Sequence, residues 1–244
     1  MILEVNQLYS GYQNVAVIQD VSFKLAAGQI TGLIGLNGAG KSTLLKTILG
    51  LLPIQSGQVT INKLTLDQDH QAYARQIAYI PETPILYEGL TLQEHIEMTA
   101  LGYGIDRQVA LERAQPLLDR FRLAKNLNWF PTHFSKGMKQ KVMVICALIT
   151  DAQLFIIDEP FLGLDPLAIR DLTQLLQERA QAGAAILLTT HVLSIAPNLC
   201  DQYLLLQKGQ LKGAGDLQNL RDIYQMPHAS LEDIYIRMTE GVEV

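Results

Sequence analysis

The run GLNGAGKST, Gly35 to Thr43, closes a set of glycines with a lysine and two hydroxyl residues. Gly35, Gly40, Lys41 and Ser42 stand at the G-x-x-x-x-G-K-[S/T] spacing of a loop that wraps phosphates. Glycines let the backbone from Leu36 through Asn37, Gly38 and Ala39 curl so that its N–H groups converge on phosphate oxygens. The helix that follows adds partial positive charge at its start. Lys41 is placed to reach the outer phosphates of a nucleoside triphosphate, and the Ser42 hydroxyl to ligate Mg²⁺. Thr43 offers one more hydroxyl. A plain glycine turn would explain the glycines but not the Lys-Ser at this offset.

A second chemical cluster lies far downstream. LFIIDEP, Leu154 to Pro160, is an apolar strand ending in two carboxylates. Ligands of open α/β sheets bind at such carboxyl ends. Neighbouring strand residues point to opposite faces, so the pleat predicts two separate tasks. Asp158 is assigned to the metal, mostly through water, and Glu159 to the attacking water as general base. A solvated Asp-Glu pair is common by itself; beside a phosphate loop it is the lesser reading. His191, after the strand-like AAILLTT, is assigned to the γ-phosphate or the attacking water.

These residues need a frame. Residues 2–8, 15–25 and 29–34 read as strands broken by Gly11 and Gly28. KSTLLKTILG has helical spacing and stops at Gly50, Pro53 and Gly57 mark a turn, and 58–61 and 76–80 read as strands. Thr91 and Glu94 fit a capping box, so helices are predicted near 92–101 and 106–120, with another from about Ser135 to 149. Strands at 154–157, 185–190 and 202–206, a helix at 166–182 and a hairpin at Lys208-Gly209 complete a parallel α/β pattern with helical crossovers. The helical stretch in the middle interrupts that pattern as an inserted subdomain.

Composition bounds the function. The chain has 244 residues, 48% of them apolar, and a net charge of −5. That balance argues against nucleic acid, whose phosphates are held by clustered basic residues. Two isolated cysteines form no disulfide framework or metal cluster. Cys146 falls in the apolar run Val142 to Ile149, which is too short for a membrane span of roughly 20 residues. The N-terminal MILEVNQLYS lacks the pattern of a signal peptide.

With these pieces in order, FSKGMKQKV, Phe134 to Val142, resembles the signature motif LSGGQ of ABC transporter ATP-binding cassettes. Ser135 and Gly137 match; Phe134, Lys136 and Met138 depart. Ser135 can cap a helix whose free N–H groups attract an anion. The resemblance implies that this helix contacts the γ-phosphate held by a second chain. Gly163-Leu164-Asp165 resembles the D-loop that crosses the dimer interface, and Tyr12 stands where the family stacks an aromatic on adenine. Glu82, after IAYIP, replaces the usual Gln that touches Mg²⁺ and links core to helical subdomain; a retained metal role is expected.

The resemblance spans about 2–220 and is most similar, within the family, to Ecs-type ATP-binding subunits of Gram-positive bacteria. It implies a P-loop NTPase core with an antiparallel β subdomain and an inserted α-helical subdomain. The expected division is core at about 1–82 and 151–220, helical subdomain at 83–150 and a C-terminal extension at 221–244. It implies ATP and Mg²⁺ as ligands, a second cassette as partner, and a transmembrane permease subunit that holds the chain at the cytoplasmic face of the membrane. Apolar Ile85, Leu86, Tyr87 and Leu90 are the expected permease contacts. A soluble ABC-type ATPase with a non-transport role is the rival, but such proteins carry paired cassettes or long coiled coils. A non-hydrolysing nucleotide switch is opposed by Glu159 and His191.

Overall fold

Runs such as ITGLI and LFII carry no polar alternation, which is what strands covered on both faces require. The computed structural model describes residues 1–13, 15–190, 193 and 196–240. Along the chain come β1 (Leu3–Tyr12), β2 (Val15–Leu25), β3 (Ile30–Ile34), α1 (Lys41–Ile48), β4 (Ile54–Ile61), α2 (His70–Arg75) and β5 (Ile77–Ile80). Then follow α3 (Leu92–Tyr103), α4 (Arg107–Arg120), α5 (Lys136–Leu148), β6 (Leu154–Ile157), α6 (Pro166–Gln181) and β7 (Ala185–Thr189). The chain continues with α7 (Ala196–Leu199), β8 (Gln202–Gln207), β9 (Gln210–Gly215), α8 (Leu217–Ile223) and α9 (Leu231–Thr239).

The α/β expectation holds. One sheet runs β5-β6-β7-β3-β8-β9, parallel except for the antiparallel β8–β9 hairpin. A separate antiparallel sheet runs β2-β1-β4. The large sheet separates two apolar cores. Leu154 and Ile156 of β6 face a core shared with α1 and the small sheet, through Leu44, Ile48, Val5 and Leu8. Phe155 and Ile157 face the other core, with Ile145 of α5 and Leu172 of α6. The period-two alternation of a strand thus splits one apolar run between two layers. Cys146 and Cys200 are both buried.

Local signals explain most helix starts. Thr91 and Glu94 form the expected capping box at α3, and Gly104 ends that helix with φ +71°. Ser135 caps α5 and Asp165 caps α6. The turn expected at Gly57 is instead part of β4. Gly57 has φ +87°, and a Cβ there would stand 2.2 Å from the Gln7 carbonyl oxygen. It sits where β1 shifts register between Asn6 and Tyr9. A glycine inside a strand marks an irregularity where two backbones approach closely, and a loop reading confuses the two. Beyond the expected hairpin, α9 buries Leu231, Ile234 and Met238, and Gln207 Nε2 donates to the Met238 carbonyl at 2.8 Å.

Candidate functional site

Strand order decides which loop ends meet. Glu82 follows β5, Asp158 and Glu159 follow β6, Thr189 ends β7, and the glycine loop follows β3. Since β5, β6, β7 and β3 are neighbours and parallel, these residues share one carboxyl edge.

Within the loop, Gly40 has φ +107° and Gly38 φ +81°, both in the region that favours glycine. Gly35 has a different reason: its Cβ would stand 2.4 Å from the Leu206 carbonyl oxygen of β8. The Ala39 N–H donates to the Leu36 carbonyl at 3.0 Å, and the Gly209 N–H donates to the Ala39 carbonyl at 2.9 Å, pinning the loop to the β8–β9 turn. Lys41 Nζ donates to the carbonyls of Gly35 at 2.7 Å and Leu36 at 3.3 Å, so the ammonium bridges the loop. Leu36, Asn37, Gly38 and Ser42 are exposed; Thr43 is buried against α1's own core face.

At the end of β6, Asp158 is only 8% exposed. Thr189 Oγ1 donates to Asp158 Oδ1 at 2.6 Å and accepts the Glu159 N–H at 2.9 Å. Glu159 has φ +47°. The strand stops at Ile157, so the pleat does not set the two carboxylates apart as expected. Glu159 instead takes a left-handed backbone, and such a conformation costs about 1–3 kcal/mol and persists only where its surroundings hold it. Thr189 supplies one such hold, and sequence reading passed over it. The available signal was a hydroxyl residue at the end of a parallel strand, shortly before His191.

Glu82 is exposed, two residues past Ile80, and the Asp158 N–H donates to the Ile80 carbonyl at 2.8 Å. Burial pushes the Tyr79 phenol up to about 12, and the charges of Asp158 and then Glu82 push it the same way. Tyr79 therefore stands within the field of both carboxylates. Among the described residues no group of three or more His, Cys, Asp or Glu could hold a metal. Hard oxygen donors from Ser42 and Asp158 suit Mg²⁺, which takes few protein ligands and fills its shell from phosphates and water. His191 lies outside the described residues.

Ser135 and Asp165 are built elsewhere. Ser135 Oγ accepts the Met138 N–H at 3.2 Å at the exposed start of α5. That helix packs on α3, α4 and β5, whereas α1 packs on β1 and β2. Asp165 Oδ1 accepts the Ala168 N–H at 2.9 Å, while Oδ2 accepts from Lys141 Nζ at 3.1 Å. An ideal Cβ on Gly137 would lie 2.8 Å from the Gly163 carbonyl oxygen. Tyr12 ends β1 paired with Val15, its ring exposed. In the loop before α3, Ile85 is 70% and Tyr87 62% exposed, while Leu86 packs against the core. That loop is fastened by His95, whose Nε2 accepts the Tyr87 N–H at 2.9 Å and whose Nδ1 lies 2.7 Å from the Thr91 carbonyl.

Residues 18–162 match the family model described as ABC transporter. The chain is 48% identical over 239 residues to the ABC-type transporter ATP-binding protein EcsA of Bacillus subtilis (strain 168), covering 98% of this chain and 97% of that one. It is 37% identical over 241 residues to the uncharacterized ABC transporter ATP-binding protein YthP of the same organism, covering 98% of each. A solved structure, described as that of the ATP binding subunit of an ABC transporter, superposes with a TM-score of 0.95 at 47% identity, over 98% of this chain and 100% of the other.

Proposed function

The chain belongs to the ABC transporter family, and from that premise we propose that it is one half of an ATP-driven clamp whose two ATP sites are each completed by a second copy. As an ATP-binding subunit of that family it binds and hydrolyses ATP and powers a separate transmembrane subunit. The observation that supports the catalytic assignment best is the hydroxyl of Thr189, which joins Asp158 and Glu159 at the strand ends beside the glycine loop.

In the proposed cycle Lys41 exchanges the Gly35 and Leu36 carbonyls for the outer phosphates, and the amides of 36–43 cradle the rest. Tyr12 stacks on the adenine. Ser42 and Asp158, with Glu82 beside them, would hold Mg²⁺, which when bound neutralises charge developing between the phosphates. Glu159 accepts the proton of the attacking water, and His191 holds the γ-phosphate. Ser135, Gly137 and Asp165 face the partner cassette's nucleotide. ATP thereby bridges two chains, its binding closing the pair and its hydrolysis opening it.

Among the described residues no helix is long and apolar enough to cross a membrane. The chain is placed at the cytoplasmic face through its transmembrane partner, which the exposed Ile85 and Tyr87 would meet. Glu159→Gln tests the scheme. In light scattering with ATP and Mg²⁺ it is expected to form a dimer holding two nucleotides. Its turnover is expected to fall about a hundredfold or more, the typical worth of a general base. Near-normal phosphate release refutes the base assignment; a variant that stays monomeric with ATP bound refutes the shared site.

A further inference from the structure

The two segments assigned to the far side of the clamp touch each other within one chain. Gly137, in the first turn of α5, lies so close to Gly163 that a Cβ would meet the Gly163 carbonyl oxygen at 2.8 Å. The Lys136 stem covers Gly163 on the other side, with Cδ 3.7 Å from where a Cβ would stand. One turn along α5, Lys141 Nζ reaches Asp165 Oδ2 at 3.1 Å. The lysine is only 13% exposed although its partner is 53% exposed, so the stem is packed and the ammonium aimed. The other carboxylate oxygen caps α6. Hydrogen bonds from the Ala168 N–H, then from Lys141, hold the Asp165 carboxyl below its ordinary range.

An exposed ion pair contributes little stability. This one joins α5 to the start of α6 across a backbone approach that admits only glycine. We infer that Lys141 is a positioning residue which locks the Ser135 helix start to the Gly163–Asp165 loop, so that both segments presented to a partner cassette move as one body. The inference rests on the shared-site reading above. The Ser135 helix start and the Gly163–Asp165 loop then meet the partner cassette's nucleotide in one fixed arrangement.

The test uses the full chain with ATP and Mg²⁺. Lys141→Ala is expected to lower kcat about tenfold, short of the roughly hundredfold that a 1 Å misplacement can cost. The ATP concentration for half-maximal rate should move less than about twofold, about 0.4 kcal/mol. Rates are counted per competent chain, from the nucleotide trapped when Lys141→Ala is combined with Glu159→Gln, which removes any effect of misfolded protein. Lys141→Arg should restore the rate, because a guanidinium donates to the same carboxylate. Gly137→Ala, which pushes the Gly163 carbonyl away, should reproduce the Lys141→Ala defect. A wild-type kcat in Lys141→Ala, or an Arg variant as slow as the Ala variant, overturns the lock while leaving the dimer intact. Failure of Glu159→Gln alone to dimerise sinks the shared site and the lock with it.

Discussion

Replacing Thr189 by Val keeps the shape of a fully buried side chain and removes its hydroxyl alone. Two bonds go with it, the one to Asp158 and the one from the Glu159 N–H. Loss of the bond from the part-buried Glu159 N–H costs up to about 1–3 kcal/mol, and a lost bond to a charged acceptor about 1.5–3 kcal/mol. The two share one hydroxyl and do not add in full, so about 3 kcal/mol is the expected loss. For a chain of this size each kcal/mol lowers Tm by about 2–4 °C, giving a fall of about 6–12 °C. Turnover should suffer more than stability. Without the Thr189 bond, Glu159 is held less firmly in its left-handed backbone and its carboxylate can shift, and a 1 Å displacement is worth about a hundredfold in rate. Thr189→Ser is the control: it loses a methyl, about 0.8 kcal/mol, but keeps both bonds and the activity. Thermal unfolding and steady-state phosphate release are the assays. A Val variant within about 2 °C of wild type in Tm, under 1 kcal/mol, and within threefold of it in rate would refute the bridging role.

Two further expectations concern a carboxylate and the thiols. Glu82→Gln should keep ATP hydrolysis within about threefold, under 1 kcal/mol, whereas Glu82→Ala should lose stimulation by the transmembrane partner; wild-type turnover and transport by the Ala variant in the complex would sink the metal-linking role. Burial pushes the Cys146 thiol up to about 11 and the Cys200 thiol up to about 12. The folded values lie above the unfolded value of about 8.5, so what these thiols contribute is whole below that pH and is lost as pH rises through 11 and 12. A thiol-specific disulfide reagent at neutral pH should leave the native chain unmodified and label both cysteines in denaturant, and a Cys146→Ala, Cys200→Ala variant should lose less Tm between pH 9 and 11. Fast labelling of the native chain would contradict their burial.

Some of this molecule was legible residue by residue. The glycine turn before α1, the capping box at Thr91 and Glu94, the cap at Ser135 and the strand before Asp158 depend on residues within a few positions of one another. Spacing along the chain is then the same thing as geometry. Gly57 shows the limit: its glycine was visible, but only the neighbouring β1 backbone reveals why it is there. Likewise Gly137 reads as a helix-start residue for binding an anion, and the fold adds a packing reason, the Gly163 carbonyl.

Across longer separations the sequence falls silent for a physical reason. Strands buried on both faces all read as apolar runs, so nothing in β3, β5, β6 or β7 states which lies beside which. Their order, β5-β6-β7-β3, is visible only in the folded sheet. From the sequence alone came the candidate chemistry: a glycine loop with the spacing of a phosphate loop, two carboxylates, a capped serine helix. Tertiary structure decided which groups support which. It brought the Thr189 hydroxyl to Asp158, turned Glu159 through a left-handed backbone, and set Lys141 on Asp165. Those bonds join segments whose approach is determined by packing the two cores, which local spacing does not encode.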